Sequence, residues 1–455
     1  MPLVAALLVI ALAGPLGDGS APASEMVEGR PAAAELSILQ ARIDAAPPGA
    51  TLEVGPGTYP GDLVIEKPLR LVGHGRPLLL GSGHGSVVRI RAARVTIAGF
   101  TIDGRGGGDL GRDASGIHIS AHDVTVRDCA IRETLFGIYL REANGAVVER
   151  CVIRGIPGKE PGEKGSGIHV WDTDGFRLVG NDIAEVRDGF YVQSSNHGEI
   201  RGNLARDLRY GLHYMFSDDN TFEDNTFSNT DAGAALMYSR RITFRYNRFV
   251  HNRGFASVGL LFKTCDDVVA EDNLIADNAR GIFLEGSYRN VFRGNVIASS
   301  DDAIVLYDSC GENRFEGNSF VANLSPLDLV GKRTDTVFDG NYWSDNDEPD
   351  LDGDGRSDRP YRLSNVFDHF RGNLTAADLM AQGLAGATLA MAERAFPVLA
   401  AVPVVDRHPL IRPPASRAPR PERRDAGRAH ALGIAGSALC LAAGLAVLLG
   451  GRKPR

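Results

Sequence analysis

The sequence lacks the features that mark a metal finger, a helical domain or a nucleic-acid-binding protein. Five cysteines occur among 455 residues and none forms a C-x-x-C pair, which excludes the usual structural zinc motifs. Between Gly167 and Asn318 no run of ten residues has helical spacing. The net charge is −8, whereas a nucleic-acid partner requires a clustered basic face. The acidic balance mildly favours cationic partners, although a solvated acidic surface explains it equally well.

The sequence does contain an internal repeat of about 22 residues. Each unit opens with a glycine, and apolar residues then occur at every second position, as in GIHVW from Gly167. An asparagine follows the glycine at a fixed offset, which predicts stacked structural units. Period-two alternation within such units predicts an all-β fold, a right-handed parallel β-helix with three short strands per coil. The pairs are Gly167 and Asn181, Gly189 and Asn203, Gly211 and Asn225, Gly233 and Asn247, Gly259 and Asn273, and Gly281 and Asn295.

Two columns of small residues are expected at the corners of the coils. A buried asparagine can bond backbone groups that leave the strand ladder, so the asparagine column is assigned to one corner. Cys129 and Cys151 stand where this asparagine belongs, and we interpret them as core filling. A disulfide between them is the alternative, because neighbouring coils bring them close. The second column comprises Thr173, Ser195, Ser217, Ser239, Cys265, Ser287 and Cys310.

The two ends of the chain carry signals of their own. An apolar core followed by Ala21-Pro22-Ala23 predicts a secretory signal, and therefore export to the periplasm. Residues 35–47 predict a helix that caps the first coil. Residues 431–450 are uncharged and long enough to cross a bilayer once, which predicts anchoring to the inner membrane. The expected order is a signal peptide (1–23), the β-helix (24–345), a closing segment (346–414), a linker (415–430) and a transmembrane helix (431–450). The closing segment consists of an Asp-rich loop and a tail with an amphipathic helix at 375–395.

The outward positions of one strand face suggest a metal site. In the strand after each glycine the first and third residues point inward and the second and fourth point outward. His213 and Met215 therefore share an outer face, and Met237 lies one coil beyond Met215. Two thioethers beside an imidazole form a donor set that suits Cu(I). The alternative is a semi-apolar docking strip, and His169 and Trp171 could extend either one.

Polysaccharide cleavage on a secreted β-helix would require a different set of residues. Paired carboxylates would have to flank a groove, or aspartate-bound calcium would have to act with an arginine or lysine base. The candidate acidic pairs occupy corner positions, where aspartate is a turn residue by default. We therefore predict no catalytic residue and no enzymatic activity. These pairs are Asp218–Asp219, Asp266–Asp267 and Asp301–Asp302.

The segment DLDGDGRSD predicts a structural calcium site. Asp350, Asp352 and Asp354 alternate, and Asp358 follows, as in loops that bind calcium through oxygen ligands. The bidentate glutamate of an EF-hand is missing, since Tyr361 stands at its position. The alternative is a turn held by Asx hydrogen bonds.

The segments GNYWSDNDEPDLDGDGRSDRPY (from Gly340) and VPVVDRHPLIRPP (from Val402), together with the exported solenoid, resemble the NosD family. This family comprises periplasmic β-helix proteins required to mature nitrous oxide reductase. The resemblance covers residues 35–414, and the apolar stretch after Ala429 departs from it.

The resemblance implies a non-enzymatic component of an ABC transporter assembly. In such an assembly the solenoid sits above the permease and its ATPase, accepts copper from a lipoprotein chaperone and passes it to the reductase. The metal ligands of the family are not carried over, so His213, Met215 and Met237 rest on geometry. A carbohydrate-binding or carbohydrate-cleaving secreted β-helix is the second hypothesis, and a purely structural scaffold that docks the reductase is the third.

Overall fold

The computed structural model describes residues 38–108, 111, 113–331, 333–363 and 404–419. The predicted signal peptide (1–23), helical tail (375–395) and transmembrane helix (431–450) lie outside these ranges. Within them, no helix combines the length and the hydropathy that crossing a membrane requires.

The described residues form a parallel β-solenoid of the right-handed type with about 13 turns, which confirms the predicted fold. Each turn contributes one strand to each of three faces, named A, B and C in chain order. A strand pairs in parallel with the strand of the same face in the turns before and after it. Ile168, for example, is in register with Phe190, and Phe190 with Leu212. Residues about 22 apart are therefore vertical neighbours.

The strands are short on faces A and B and longer on face C. Two strands, Leu204–Met215 and Thr226–Arg240, run from face B through the corner into face C. Face A comprises Thr51–Val54, Arg70–Gly73, Thr96–Ala98, Thr125–Arg127, Val147–Glu149, Arg177–Val179, Glu199–Arg201, Thr221–Glu223, Thr243–Arg245, Val269–Glu271, Val291–Arg293, Arg314–Glu316 and Val337–Asp339. Face B also comprises Thr58–Pro60, Leu78–Leu80, Thr101–Asp103, Ala130–Arg132, Val152–Arg154, Asp182–Ala184, Arg248–Val250, Leu274–Ala276, Val296–Ala298, Ser319–Val321 and Tyr342–Trp343. Face C also comprises Leu63–Ile65, Val88–Ile90, Ser115–Ile119, Phe136–Arg141, Ser166–Trp171, Asp188–Gln193, Val258–Asp266, Arg280–Glu285, Asp302–Tyr307 and Asp328–Val330.

The repeat glycine near the start of the face C strand lies where a side chain has no room. A Cβ on Gly211 would lie 2.5 Å from the carbonyl oxygen of Gly233 and 2.6 Å from the ring of Phe227. Only glycine allows such an approach between a corner and the next turn. The residues that follow alternate as predicted: Ile168 and Val170 are fully buried, and the residues between and after them face outward.

The asparagine column forms a continuous hydrogen-bonded ladder, as predicted. The backbone N–H of Asn203 donates to Oδ1 of Asn225 at 3.0 Å, and its side-chain Nδ2 donates to the same oxygen at 2.9 Å. Nδ2 also donates to the carbonyl of Leu178 at 2.9 Å. The residue before each asparagine has a left-handed backbone, for example Asp224 at φ 56°, so the strand ends there. The ladder comprises Asn181, Asn203, Asn225, Asn247, Asn273, Asn295, Asn318 and Asn341.

The second column of small residues works in the same way at the corner between faces C and A. Oγ of Ser195 accepts a hydrogen bond from the backbone N–H of Thr173 at 3.0 Å, and Oγ of Ser217 accepts from Ser195 at 2.9 Å. Cysteine replaces the hydroxyl at some turns without breaking the column. The four described cysteines are buried and free, so they fill the core and form no disulfide: Cys129, Cys151, Cys265 and Cys310.

A short helix covers the first turn, as predicted. This helix, α1, spans Ile38–Ala45 and buries Leu39 and Ile43 against the core. The amide of Gln40 donates to the carbonyl of Val64 at 3.0 Å and accepts from its N–H at 2.9 Å. The side chain therefore pairs with a backbone edge that would otherwise be open.

The last turn is closed by a segment that returns from far along the chain. Strand Val405–Asp406 pairs with face A and, antiparallel, with Tyr361–Arg362. Oδ2 of the buried Asp406 accepts hydrogen bonds from N and Nδ2 of Asn341, both at 2.9 Å, and from Nε1 of Trp343 at 3.1 Å. An aspartate thus takes the place of the next asparagine and ends the ladder. Further on, Oγ of Ser416, in the predicted linker, donates to the carbonyl of Gly294 at 2.6 Å.

Substitution D406A should release the last turn without loosening the middle of the solenoid. It leaves several buried N–H donors unpaired, at about 1–3 kcal/mol each. Hydrogen–deuterium exchange should therefore rise at Asn341–Trp343 and stay unchanged around Asn225. D339A in the same turn is the matched control, since Asp339 is exposed there. Equal exchange at Asn341–Trp343 in D406A and D339A would show that Asp406 does not close the ladder.

Candidate functional site

The candidate site lies on the outer side of face C. Met215 and Met237 are Cα partners in adjacent turns, as their spacing predicts, and His213 is two residues before Met215 on the same strand. Gln193 precedes Met215 in this column, and Lys263 follows Met237. The structure therefore brings the three predicted ligand residues to one surface. Their assignment as copper ligands stays a prediction.

A column of aromatic and imidazole rings leads to this site. His118 stacks on Tyr139 with ring centroids 5.2 Å apart, and Tyr139 stacks on His169 at 4.3 Å. His169 stacks on Tyr191 at 4.4 Å, and Tyr191 meets His213 edge-on at 4.8 Å. These five residues form the ring ladder. The ladder occupies successive outward positions and ends at His213, beside the methionines.

Residues 155–165 are an insertion that lengthens one repeat from about 22 to 30 residues, between Gly137 and Gly167. This insertion helps to cover the beginning of the ring ladder. Tyr139 belongs to a small apolar cluster outside the solenoid core and is only 2% exposed. The ladder therefore runs from a covered region to the open methionine surface. The cluster comprises Leu135, Phe136, Tyr139 and Ile156.

Burial controls the protonation of two ladder histidines. Desolvation, followed by the charges of Arg89, Arg141 and Arg91, lowers the pKa of His118 to about 4. Desolvation, followed by the charge of Arg187, lowers the pKa of His169 to about 3. The Nδ1 of His169 is buried and has no hydrogen-bond partner among the described residues. Both imidazoles are therefore neutral at pH 7.

An ion network lies behind His213. Asp188 is fully buried, and its carboxylate receives hydrogen bonds from Nε and Nη2 of Arg209 at 2.9 and 2.7 Å. Its Oδ2 lies 3.4 Å from Nδ1 of His213 and 3.4 Å from Nε of Arg187. Burial alone would raise the pKa of Asp188, but hydrogen bonds from His213 and Arg209 outweigh it and bring the pKa to about 2. The carboxylate is therefore charged at pH 7.

Asp188 and Arg209 were not predicted from the sequence. The available signal was an aspartate directly before the repeat glycine, where the turn before has Ser166 and the turn after has Tyr210. A single polar residue at a strand start does not show whether it points into an ion network or into solvent.

The thioethers lie between polar groups of the same column. The hydroxyl of Tyr191 donates to Oε1 of Gln193 at 2.7 Å and lies 4.0 Å from Sδ of Met215. In the turn after Met237, Nζ of Lys263 lies 3.3 Å from Oε1 of Glu285. Both methionines are partly exposed on the outer side of face C.

Two exposed aromatic residues follow the methionines at the next corner. Phe216 and Tyr238 are 53% and 48% exposed and stack at 5.1 Å. Both have left-handed backbones, with φ of 52° and 54°, a conformation that bulky residues rarely adopt. The soft donors are thus bordered by an exposed apolar pair.

The acidic pairs considered for catalysis are paired with arginines instead. The arginines of Asp219 and Asp267 come from the next turn, and that of Asp301 comes from two turns before, and these corner contacts support the interpretation as turn residues. The shortest contacts are Asp219 to Arg241 at 2.7 Å, Asp267 to Arg289 at 2.8 Å and Asp301 to Arg253 at 2.6 Å.

Three of the four predicted calcium ligands lie together. Asp350, Asp352 and Asp354 each offer an oxygen within 4.8 Å of the others, whereas Asp358 is not in this group. The carboxylate of Asp350 also accepts hydrogen bonds from the backbone N–H of Gly353 at 2.7 Å and of Gly355 at 2.9 Å. These are the bonds of the alternative interpretation, a turn held by its own aspartates. Calcium binding stays a prediction.

If the loop binds calcium, 1 mM Ca²⁺ should raise the thermal midpoint of the wild type through preferential binding to the folded state. The variant D350N/D354N should lose this shift, and D345N/D347N should keep it as a matched control. The midpoint is measured by scanning calorimetry with and without EGTA. A midpoint that Ca²⁺ leaves unchanged would favour the Asx turn.

The buried imidazoles predict an acid-sensitive stability. Above pH 6.5, His169 is neutral both folded and unfolded. As the pH falls from 6.5 towards 3, only the unfolded chain binds the proton, so stability is lost by about 1.4 kcal/mol per pH unit for each such histidine. H169F keeps a stacked ring and should show a shallower loss of thermal midpoint between pH 6.5 and 4. H122F, at an exposed histidine, should match the wild type, and a slope in H169F equal to that of the wild type would refute the assignment.

The chain is similar in sequence to a described family and to two named relatives. Residues 155–348 match a family described as "Periplasmic copper-binding protein (NosD)". A "Probable ABC transporter binding protein NosD" from Pseudomonas aeruginosa is 37% identical over 380 residues, which cover 80% of this chain and 89% of the relative. A relative of the same name from Stutzerimonas stutzeri is 34% identical over 381 residues, covering 79% and 86%.

Among solved structures, the A-module of the mannuronan C-5 epimerase AlgE6 from Azotobacter vinelandii superposes with a TM-score of 0.52. The match covers 66% of this chain and 93% of the module, at 17% sequence identity. At this identity the likeness concerns the fold alone.

Proposed function

The chain belongs to the NosD family, and on that premise we propose that it is a periplasmic accessory protein that accepts and passes on copper for the maturation of nitrous oxide reductase. The family is described as periplasmic and copper-binding, and its relatives are named as ABC transporter binding proteins. Copper is the cargo in this proposal, carried as Cu(I).

The proposed partners are an ABC transporter permease with its ATPase, a copper chaperone lipoprotein as donor, and nitrous oxide reductase as acceptor. The names of the relatives support the transporter. The donor and the acceptor follow from the family resemblance. The apolar segment 431–450 is the proposed anchor in the inner membrane, and its uncharged length supports this.

The observation that carries the copper role is the register of Met215 with Met237 beside His213. Two thioethers and one imidazole are soft ligands that select Cu(I) over hard cations. The His213 side chain is 13% exposed and both methionines are partly exposed, so a partner can reach the bound ion from the methionine side. Such access suits a site that must release its metal again.

A binding role, and not an enzymatic one, is supported by two observations. Both relatives are named as binding proteins. The acidic pairs that a polysaccharide-cleaving β-helix could use are neutralised by arginines at the corners. The outer side of face C, with His213, Met215 and Met237, is therefore the surface to which we assign the function.

The variant M215L/M237L tests the proposal. Leucine keeps the volume and the apolar character of methionine but removes the sulfur. We expect the Cu(I) affinity to fall by roughly tenfold or more per lost ligand, about 1.4 kcal/mol each. The affinity is measured by competitive titration against a chromogenic Cu(I) chelator under anaerobic conditions.

The chain offers a matched control in M380L/M391L, which removes two methionines outside the described residues. This control should bind Cu(I) as the wild type does. Equal affinity of M215L/M237L and the wild type would refute the site. Retained reductase maturation by M215L/M237L would instead favour a scaffold that docks the reductase.

A further inference from the structure

We infer that Asp188 is a positioning residue for the proposed copper site of His213, Met215 and Met237. It accepts a hydrogen bond from Nδ1 of His213 and thereby turns Nε2 towards the two methionines. This inference rests on the proposed copper function, because it states how the imidazole is prepared to act as a ligand. It assigns a role to a residue that neither the repeat pattern nor the family resemblance singles out.

The position of Asp188 makes this contact possible. Asp188 opens the face C strand of the preceding turn and is the Cα partner of Tyr210, three residues before His213. Its side chain reaches across the gap between the turns, so that Oδ2 lies 3.4 Å from Nδ1 of His213. Nη2 of Arg209 also lies 3.4 Å from this Nδ1, but it donates to Oδ2 of Asp188 at the shorter distance of 2.7 Å, which leaves Nδ1–H of the imidazole to donate to the carboxylate.

The remaining neighbours hold the imidazole ring in place. Tyr191 contacts it edge-on at 4.8 Å, and Tyr210 does so at 5.3 Å. Arg209 clamps the Asp188 carboxylate through two nitrogens and lies 4.2 Å over the Tyr210 ring. The ring is therefore fixed by two aromatic side chains and by an anchored carboxylate.

The chemistry gives this arrangement a purpose. A metal-bound histidine almost always donates its other N–H to a carboxylate, a carbonyl or a water, which fixes the tautomer and makes the ligand nitrogen more basic. A fully buried carboxylate is costly unless it is paired. Arg209 pairs with it, and the contact with His213 connects this pair to the surface.

A similar ion cluster on face B contains a carboxylate that pairs with arginines but does not contact His213. Asp182 bridges Arg154 at 2.9 Å and Arg206 at 3.5 Å, on the face next to Asp188 in the same turn. Its recorded partners include no histidine. Asp182 is therefore the matched control for the loss of an arginine-paired carboxylate that does not touch the site.

The test uses D188S, because serine occupies this position in the preceding turn, at Ser166. We expect D188S to lower the Cu(I) affinity by roughly 10–100-fold and D182S to leave it within about twofold of the wild type. In an H213A background, D188S should have no further effect, since it acts through His213. If the unpaired Arg209 prevents folding, D188S/R209Q removes that charge and carries the same expectation.

A second measurement does not depend on copper. In metal-free full-length protein labelled with ¹⁵N-histidine, His213 should be the Nδ1–H tautomer, and D188S should change this signal while D182S does not. Unchanged affinity and an unchanged signal in D188S would overturn the inference, as would an equal loss of affinity in the H213A background. If the wild type binds no Cu(I), the copper function fails, and the imidazole signal still decides whether Asp188 sets the tautomer.

Discussion

Side-chain amides replace the backbone bonds that are lost at the corner between faces A and B in successive turns of this protein. At each turn a left-handed residue ends the face A strand. The side chain of the asparagine that follows accepts the backbone N–H of the asparagine one turn earlier, and its amide nitrogen donates to a carbonyl of that earlier turn. Buried N–H and C=O groups must be paired, and a solenoid produces new unpaired groups at every corner. A ladder that repeats with the turns solves this problem once for all of them. The stacked strands, the glycine corners and the outer columns all depend on it.

Side chains also close the two ends of the solenoid. A solenoid leaves an open backbone edge at each end, which invites further strands to add. Gln40 pairs with the edge at the first turn, and Asp406 continues the asparagine column at the last turn. Each cap uses a side chain with two polar atoms. At the first turn the amide of Gln40 meets one carbonyl and one N–H, and at the last turn the carboxylate of Asp406 accepts from several N–H donors. The closing segment thus has a structural role that the ladder defines.

Regular stacking also produces the functional surface. Turns that repeat without slipping place outward residues in straight columns, so a ring ladder and a pair of thioethers can form from residues that are distant in sequence. Departures from regularity then shape this surface. Insertions cover one end of the ring ladder and leave the other end open, while Asp188 and Arg209 form an ion network behind the open end. The proposed copper site combines a repeated scaffold with a few non-repeated residues.

The features that follow from the repeat period could be predicted from the sequence. It predicted the solenoid, the two corner columns, the direction of each side chain on face C and the meeting of Met215 with Met237. These are consequences of strand alternation and of a constant turn length, and both are local properties. Three contacts became apparent only from the folded protein: Asp188 reaches His213, an insertion covers Tyr139, and Asp406 ends the ladder 65 residues after Asn341. Those contacts join segments outside the repeat or depend on where a side chain turns, and no spacing in the sequence fixes either one.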